Sequence, residues 1–215
     1  MLARHRDELT AGAEHLGWKV GFGAPAAMER LGLDRPLVGA LITGRRLTPG
    51  ASVSLDGWTR GVIEAEIAAY VGRDIGAEAT AAEAFAAVDA WSLAIELADV
   101  DLPPDDIEEI LAGNIYHRHV LLGDLAPDDL DPTTVSVTVR RDGTEVAATN
   151  RPHELVGELG WVLATTASTL AASGAALRAG DVVITGSVVP PLDVGPGQSW
   201  DVTVEDLGEL KVRLK

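Results

Sequence analysis

Three glutamates stand where charge is costly. Glu64 and Glu66 lie within Val62-Ile63-Glu64-Ala65-Glu66-Ile67-Ala68, and Glu96 within Trp91-Ser92-Leu93-Ala94-Ile95-Glu96-Leu97-Ala98, so each acid is embedded in a strand-like apolar run. If the first run is extended, side chains repeat every second residue and the two carboxylates share one face about 6–7 Å apart. Like charges ~6 Å apart at an effective dielectric of about 20 repel by roughly 2.8 kcal/mol, or about two pKa units. Either one proton stays on or a cation binds. A third acid from a neighbouring strand favours the cation, because a cluster of hard oxygen donors suits magnesium, manganese or calcium. The chain has no cysteine, which argues against soft-metal and disulfide chemistry.

Other residues with chemical potential are sparser. Lys19 sits in the middle of Gly17-Trp18-Lys19-Val20-Gly21-Phe22-Gly23, a short glycine-punctuated segment. His117 and His119, two residues apart, could share a strand face and mimic a metal pair. The carboxylates already supply a hard site, so His117 is read as lying behind the ligands or in proton transfer. Asn114, at the turn before it, is a turn former that could also line the site. Asp99, Asp101, Asp105 and Asp106 lack the calcium-loop spacing and read as a solvated loop.

The elements that must position these residues are mostly strands. A helix is expected over Met1–Leu16 with Gly17 as its stop, then a strand through Lys19 and a short helix over Ala26–Leu31. Short strands and turns fit Pro36–Leu55. Strict alternation of Ile63, Ala65, Ile67 and Ala69 against Glu64, Glu66, Ala68 and Tyr70 marks Val62–Val71 as a strand. Ala79–Ala90 reads as an alanine-rich helix capped by Thr80, leading into the strand Trp91–Ala98. In that strand Leu93, Ile95 and Leu97 face one way and Glu96 the other, between small alanines that leave room beside it. A short helix starts at Pro103-Pro104, residues 113–119 lead into the strand Val120–Gly123, and Pro127–Pro132 is a connector. A hairpin turns at Asp142-Gly143 within Val135–Ala148. A long helix spans Pro152–Ser173, and closing strands cover Val182–Thr185, Trp200–Glu205 and Glu209–Leu214. Strands in clusters with inserted helices predict an α+β, mainly β architecture rather than a doubly wound sheet.

At 215 residues, with 47% apolar content and no linker or repeat, one catalytic domain spanning residues 1–215 is expected, with its short N-terminal helix over 1–16. The 33 acids against 17 Lys and Arg give a net charge of −16, which disfavours nucleic acid and anionic membranes as partners. An anionic substrate stays compatible, because a divalent ion and a lysine reverse the local sign. No signal-peptide core and no apolar run of about 18 residues is seen, so a cytoplasmic location is expected.

Together Gly17-Trp18-Lys19-Val20-Gly21, Ile63-Glu64-Ala65-Glu66-Ile67-Ala68, Glu96 thirty residues on, and Gly180-Asp181-Val182-Val183-Ile184-Thr185-Gly186 resemble the 2-keto-4-pentenoate hydratase group of the fumarylacetoacetate hydrolase superfamily. The resemblance runs in order from about Gly17 to the C-terminus. It implies a rolled, mixed β-structure with inserted helices and a homo-oligomer. It also implies Mg²⁺ or Mn²⁺ held by Glu64, Glu66 and Glu96, and a small anionic 2-oxo acid as substrate. The activity implied is hydration of a 2-hydroxy-2,4-dienoate to a 4-hydroxy-2-oxo acid. The alternatives are a decarboxylase, C–C hydrolase or tautomerase of the same superfamily, or a catalytically silent binding subunit. Lys19 matches the active-site lysine, whose pKa a neighbouring metal would lower. Thr185, with the amides of Gly186 and Ser187, matches the loop that holds the substrate carboxylate or oxo group. One departure concerns the chemistry: where many such hydratases carry an aspartate in Pro-Asp-aromatic-Gly, this chain reads Pro36-Leu37-Val38-Gly39. Leu37 shifts weight toward chemistries that need no added water. A second is that only eighteen residues precede Lys19, where family members carry a longer helical region.

Overall fold

The computed structural model describes residues 1–126 and 130–215, so the first half of the connector expected over Pro127–Pro132 lies outside the described residues. Among the described residues, six α-helices and thirteen strands follow in the order α1 (Leu2–Thr10), β1 (His15–Gly21), α2 (Pro25–Leu31), β2 (Leu37–Ile42), β3 (Arg46–Leu47), β4 (Ser52–Val53), β5 (Gly61–Val71), α3 (Ala81–Phe85), β6 (Val88–Asp99), α4 (Ile107–Ala112), β7 (His117–Leu125), β8 (Val137–Arg141), β9 (Thr144–Thr149), α5 (His153–Val156), α6 (Leu159–Ala172), β10 (Val182–Ser187), β11 (Leu192–Asp193), β12 (Ser199–Val204) and β13 (Gly208–Leu214).

One mixed sheet runs β2-β1-β10-β5-β6-β7-β3, with β11 paired to β5. Its two edge strands come from one stretch of chain. β2 pairs with β1, a single turn at Thr43–Arg45 follows, and β3 pairs with β7 at the far edge. That continuity rolls the sheet around, and the outer edge of β2 is met by the Asn114 side chain, which bonds both main-chain groups of Ala40. A second sheet, β4-β13-β12-β8-β9, packs against the outside of the roll. The main core lies between them, built from Trp18, Val20, Ile63, Ile67, Leu93, Ile95 and Leu97 on one side and Trp200, Val202, Leu210 and Val212 on the other, with Leu163 and Leu170 of α6 filling one end.

The opposite face of the roll is buried too, and its inward stripe changes chemistry along each strand. On β5 the order is Val62, Glu64, Glu66, Ala68; on β6 it is Ala98, Glu96, Ala94; on β2 it is Leu37, Gly39, Leu41. Val62, Ala98 and Leu37 belong to an apolar cluster completed by Ile110, Ile115 and Tyr116. Ala68, Ala94 and Leu41 belong to another with Val120, Val182 and Ile184. The acids are thus held in a polar band between two apolar plugs, where desolvation strengthens every electrostatic contact.

Several expected boundaries shift, each for a tertiary reason. The first helix stops at Thr10 rather than Leu16, because Gly12 turns the chain at φ +97° and His15 is drawn into pairing with Ile42. The alanine-rich helix is only Ala81–Phe85, with the expected Thr80 cap and a reciprocal Glu83 bond. Val88 and Ala90 instead extend β6 against Val71 and Tyr70, so sheet pairing overrides alanine's helix propensity. The helix expected from Pro103 begins at Ile107, where Asp106 accepts hydrogen bonds from the amides of Glu108 and Glu109. The long helix over Pro152–Ser173 is broken at Gly157, φ +79°, into α5 and α6. By length and composition His153–Ala172 would pass for a membrane span, contrary to the expectation that no such run exists. It packs instead, with Leu159, Val162, Leu163, Ala167 and Leu170 buried in the core.

Candidate active site

β5 and β6 pair antiparallel with Glu64 directly opposite Glu96. Their like charges, one strand spacing apart, destabilise the pair unless something compensates. Glu66, two residues along β5, completes a set in which one carboxylate oxygen from each of the three lies within 4.8 Å of the others. Glu66 and Glu96 are fully buried, and Glu64 alone keeps partial exposure.

The two buried acids divide their oxygens in the same way. Glu96 Oε1 accepts from Lys19 Nζ at 2.6 Å and from His117 Nδ1 at 2.8 Å, while Oε2 is buried without a partner. Glu66 Oε2 accepts from the Gly186 amide at 2.7 Å, while Oε1 is buried without a partner. Each acid is held by one oxygen and offers the other. Orphaned buried carboxylate oxygens are rare because they forfeit their hydration, so this pairing fits a hard divalent cation. Oxygens about 2.1 Å from a magnesium ion lie at most about 4.2 Å apart, which small side-chain rotations achieve from the observed separation.

Electrostatics follow from burial. Desolvation, then the facing Glu96 charge, lifts Glu64 to about 7, with Lys19 acting against the rise. Desolvation with Glu96 and Glu64 pushes Glu66 well above the usual carboxylate range. Burial would raise Glu96 as well, but Lys19 and His117 outweigh it and hold it low. Burial pulls Lys19 down, yet Glu96, Glu64 and Glu66 together hold it above its ordinary value, opposite to the fall a neighbouring cation would cause. His117 is lowered, chiefly by burial.

Lys19 on β1 reaches inward beside Gly39 of β2, its partner in register. A Cβ at Gly39 would lie 2.7 Å from Lys19 Cγ, so glycine there makes room for the lysine stem. The Lys19 ammonium has a second acceptor, the Ile115 carbonyl at 3.0 Å. That carbonyl is placed by an unusual backbone: Asn114, Ile115 and Tyr116 have φ of +58°, +53° and +63°. Each such residue costs of order 1–3 kcal/mol, more for a β-branched side chain. A charge-assisted bond to the carbonyl returns about 1.5–3 kcal/mol, which offsets part of the cost. The Asn114 amide supplies more, receiving the Ala40 amide at 2.8 Å and donating to the Ala40 carbonyl at 2.9 Å.

The remaining sequence-predicted residues surround this centre in different ways. Thr185 is buried and donates its hydroxyl to the Ile67 carbonyl at 2.9 Å. The Gly186 amide, expected to meet substrate, is engaged by Glu66. The Ser187 hydroxyl donates to the Val189 carbonyl at 2.6 Å. His117 and His119 do not share a face. A bulge between β6 and β7 pairs His117 with Ala98 and His119 with Leu97, so His119 turns outward and stacks on Trp58, ring centroids 6.3 Å apart. The Ile115 carbonyl was not foreseeable, since a backbone acceptor carries no residue-type signal; the turn at Gly113-Asn114 marked only its location.

A sequence profile described as fumarylacetoacetate (FAA) hydrolase C-terminal matches residues 39–215. The chain belongs to the fumarylacetoacetate hydrolase family. Within this family of enzymes it is 30% identical over 207 residues to the TodF product hydratase of Pseudomonas putida, covering 94% of this chain and 77% of that one. It is equally, 30%, identical over 207 residues to a 2-keto-4-pentenoate hydratase of Burkholderia vietnamiensis, covering 94% and 79%. In three dimensions it superposes with a TM-score of 0.92 on 4-oxalocrotonate decarboxylase from Pseudomonas putida G7 complexed with magnesium and adipate, at 24% identity over 99% of this chain and 82% of that one. The rolled mixed sheet with inserted helices is therefore the fumarylacetoacetate hydrolase fold.

Proposed function

We propose that this family member is a divalent-metal-dependent lyase that adds water to a 2-hydroxy-2,4-dienoate, or its 2-oxo-4-enoate tautomer, to give a 4-hydroxy-2-oxo acid. The observation that carries this reading is the convergence of Glu64, Glu66 and Glu96 on one point with the Lys19 ammonium against Glu96. Similarity to two proteins named as hydratases supports the reaction class. Glu64, the free Oε1 of Glu66 and the free Oε2 of Glu96 would hold Mg²⁺ or Mn²⁺. Such an ion, when bound, supplies Lewis-acid stabilisation of the negative charge that develops on a 2-oxo acid as it enolises.

The chain's own residues do the rest. His117 and Gly186 fix the orientation of Glu96 and Glu66, as partners behind metal ligands do. Lys19 uses two of its three N–H bonds on Glu96 and Ile115, which leaves one to hold the substrate oxygen or carry a proton to it. The apolar cluster around Leu37, Val62 and Ile115 borders the polar band and receives the hydrocarbon part of the substrate.

A second reading, decarboxylation of a 2-oxo acid, is favoured by one observation. Leu37 is buried among Ile110, Ile115 and Tyr116, so no carboxylate stands at that position to activate water. A product assay separates the two. Purified protein with Mg²⁺ or Mn²⁺ and a 2-hydroxy-2,4-dienoate should yield the hydrated 4-hydroxy-2-oxo acid. Release of carbon dioxide from a 2-oxo-enedioate, without hydration of the dienoate, selects the second reading. Absence of turnover with either ion on either substrate counts against both.

A further inference from the structure

We infer that Asn114 is a positioning residue for the Lys19 ammonium, acting through the Ile115 carbonyl. The inference rests on the reading of Lys19 as the group that meets substrate.

Ala40 faces β1 on one side, opposite Trp18, the neighbour of Lys19. On its other side both of its main-chain groups are taken by the Asn114 side-chain amide. Asn114 thus replaces a strand at the outer edge of β2, and is nearly fully buried there. Asparagine is suited to the place twice over. Its amide offers one donor and one acceptor in a peptide-like geometry, and it tolerates the left-handed backbone better than most residues. Ile115 and Tyr116 have no such tolerance, yet they continue the left-handed turn. The turn gives the Ile115 carbonyl its aim at Lys19 Nζ.

The parts are packed without slack. A Cβ on Gly39 would lie 3.0 Å from Asn114 Oδ1 as well as 2.7 Å from Lys19 Cγ, and one on Gly21 would lie 2.7 Å from Ile115 Cγ2. The lysine stem, the asparagine amide and the isoleucine side chain therefore locate one another across two glycines. Strain held in place by its surroundings is characteristic of functional sites, and the atom it places here is the second acceptor of the only buried lysine. The other two lysines, Lys211 and Lys215, are exposed.

Those two lysines make the test internal. In the wild type, acetylation by limiting acetic anhydride, read by peptide mass, should modify Lys19 about 100-fold more slowly than Lys211. Asn114→Gly keeps a backbone free to adopt positive φ but removes both bonds to Ala40. It should raise Lys19 labelling about tenfold or more and lower kcat about 10–100-fold, with KM changed by less than about threefold. Asn114→Asp keeps the acceptor for the Ala40 amide and should fall between the two. A merely structural residue would lower the melting temperature while leaving Lys19 labelling and kcat of the folded protein unchanged, and that result overturns the inference. So does wild-type Lys19 labelling as fast as Lys211, or loss of the folded state in both variants. If the wild type turns over neither a dienoate nor a 2-oxo-enedioate, the functional reading fails by itself, and the labelling ratio still decides the role of Asn114.

Discussion

Glu64 and Glu96 face each other directly across β5 and β6, and the Lys19 ammonium lies against only the second of them. The asymmetry divides the pair. Glu96, bonded to Lys19 and His117, is held ionised, whereas Glu64 is lifted to about 7. One acid is ionised at neutral pH, and the other changes its charge there.

Lys19→Met should separate stability from metal affinity. Removing one member of a buried ion pair costs about 3–5 kcal/mol because the remaining charge keeps its desolvation penalty. The unfolding midpoint in urea, measured with a chelator, should fall accordingly. Mg²⁺ should then raise the melting temperature more in the variant than in the wild type, since a competing cation has gone from beside Glu96. Turnover should drop by about 10²–10⁴-fold, as expected for loss of a general acid or base. An unchanged urea midpoint would show that the ion pair contributes nothing.

Glu64 gives the pH dependence of the same site. Its folded pKa, about 7, lies above its ordinary value of 4.5. The stability it contributes is fully present below the ordinary value and is lost as pH rises through about 7, because the folded protein then gives up a proton it holds more tightly than the unfolded chain does. With chelator present, the urea midpoint should decline over that window. Mg²⁺ should oppose the decline and bind more tightly as pH rises, with proton release on binding. Glu64→Gln should flatten the chelator profile; a Gln variant that retains the wild-type slope would assign the titration to another group.

How far the site could be read from sequence depended on whether the signal was local. Glu64 and Glu66 were legible because a two-residue period inside an apolar run is a property of one strand. That Glu96 joins them was legible from its own apolar run and from the ordered motifs, but its register opposite Glu64 was not, because register is set by strands that meet through the fold, and the bulge that separates His117 from His119 depends on β6 as much as on β7. The roll of the sheet likewise hangs on a three-residue turn between β2 and β3, which in sequence is only Thr43-Gly44-Arg45. The alanines at 86, 87 and 90 misled for the complementary reason: their helix preference is local, and pairing of Val88 and Ala90 with β5 is stronger.

A second titration lies outside the site. His15 Nε2 donates to Asp181 Oδ1 at 3.1 Å, and His15 Nδ1 shares a hydrogen bond with His5 Nε2, also at 3.1 Å. His5 Nδ1 is a buried atom without a partner. Burial first, then the neighbouring His15, lowers the His5 pKa, against smaller opposing contributions from Glu8 and Asp181. A histidine lowered on folding binds its proton more readily in the unfolded chain, so stability is lost as pH falls below the ordinary value of 6.5. Helix α1 carries His5, so protection factors in Leu2–Thr10, corrected for the slower intrinsic exchange in acid, should fall on acidification before those in β5 and β6 do. In His5→Phe that acid-selective loss of protection should disappear; if it persists, another group controls α1.

Gly39→Ala tests whether the room left for the lysine matters to chemistry rather than to folding. Gly39 lies in extended β2 without positive φ, so alanine is compatible with its backbone and reduces the freedom of the unfolded chain, worth about 0.4–1 kcal/mol in the stabilising direction. Against this, the added Cβ would meet Lys19 Cγ at 2.7 Å and Asn114 Oδ1 at 3.0 Å. The lysine stem is the softer of the two, because rotating it costs about 0.5–1.5 kcal/mol, whereas moving Asn114 breaks two buried hydrogen bonds. Relief should therefore come from rotation of the Lys19 stem, which shifts Nζ against Glu96 and Ile115 while keeping the ion pair. The expected outcome is a folded protein, within about 2 kcal/mol of the wild type in urea unfolding, whose kcat falls about 10²-fold because the proton-carrying group is displaced by an ångström or so. Wild-type kcat in Gly39→Ala would mean that the position of Lys19 tolerates such a shift, and would remove Lys19 from the reacting centre.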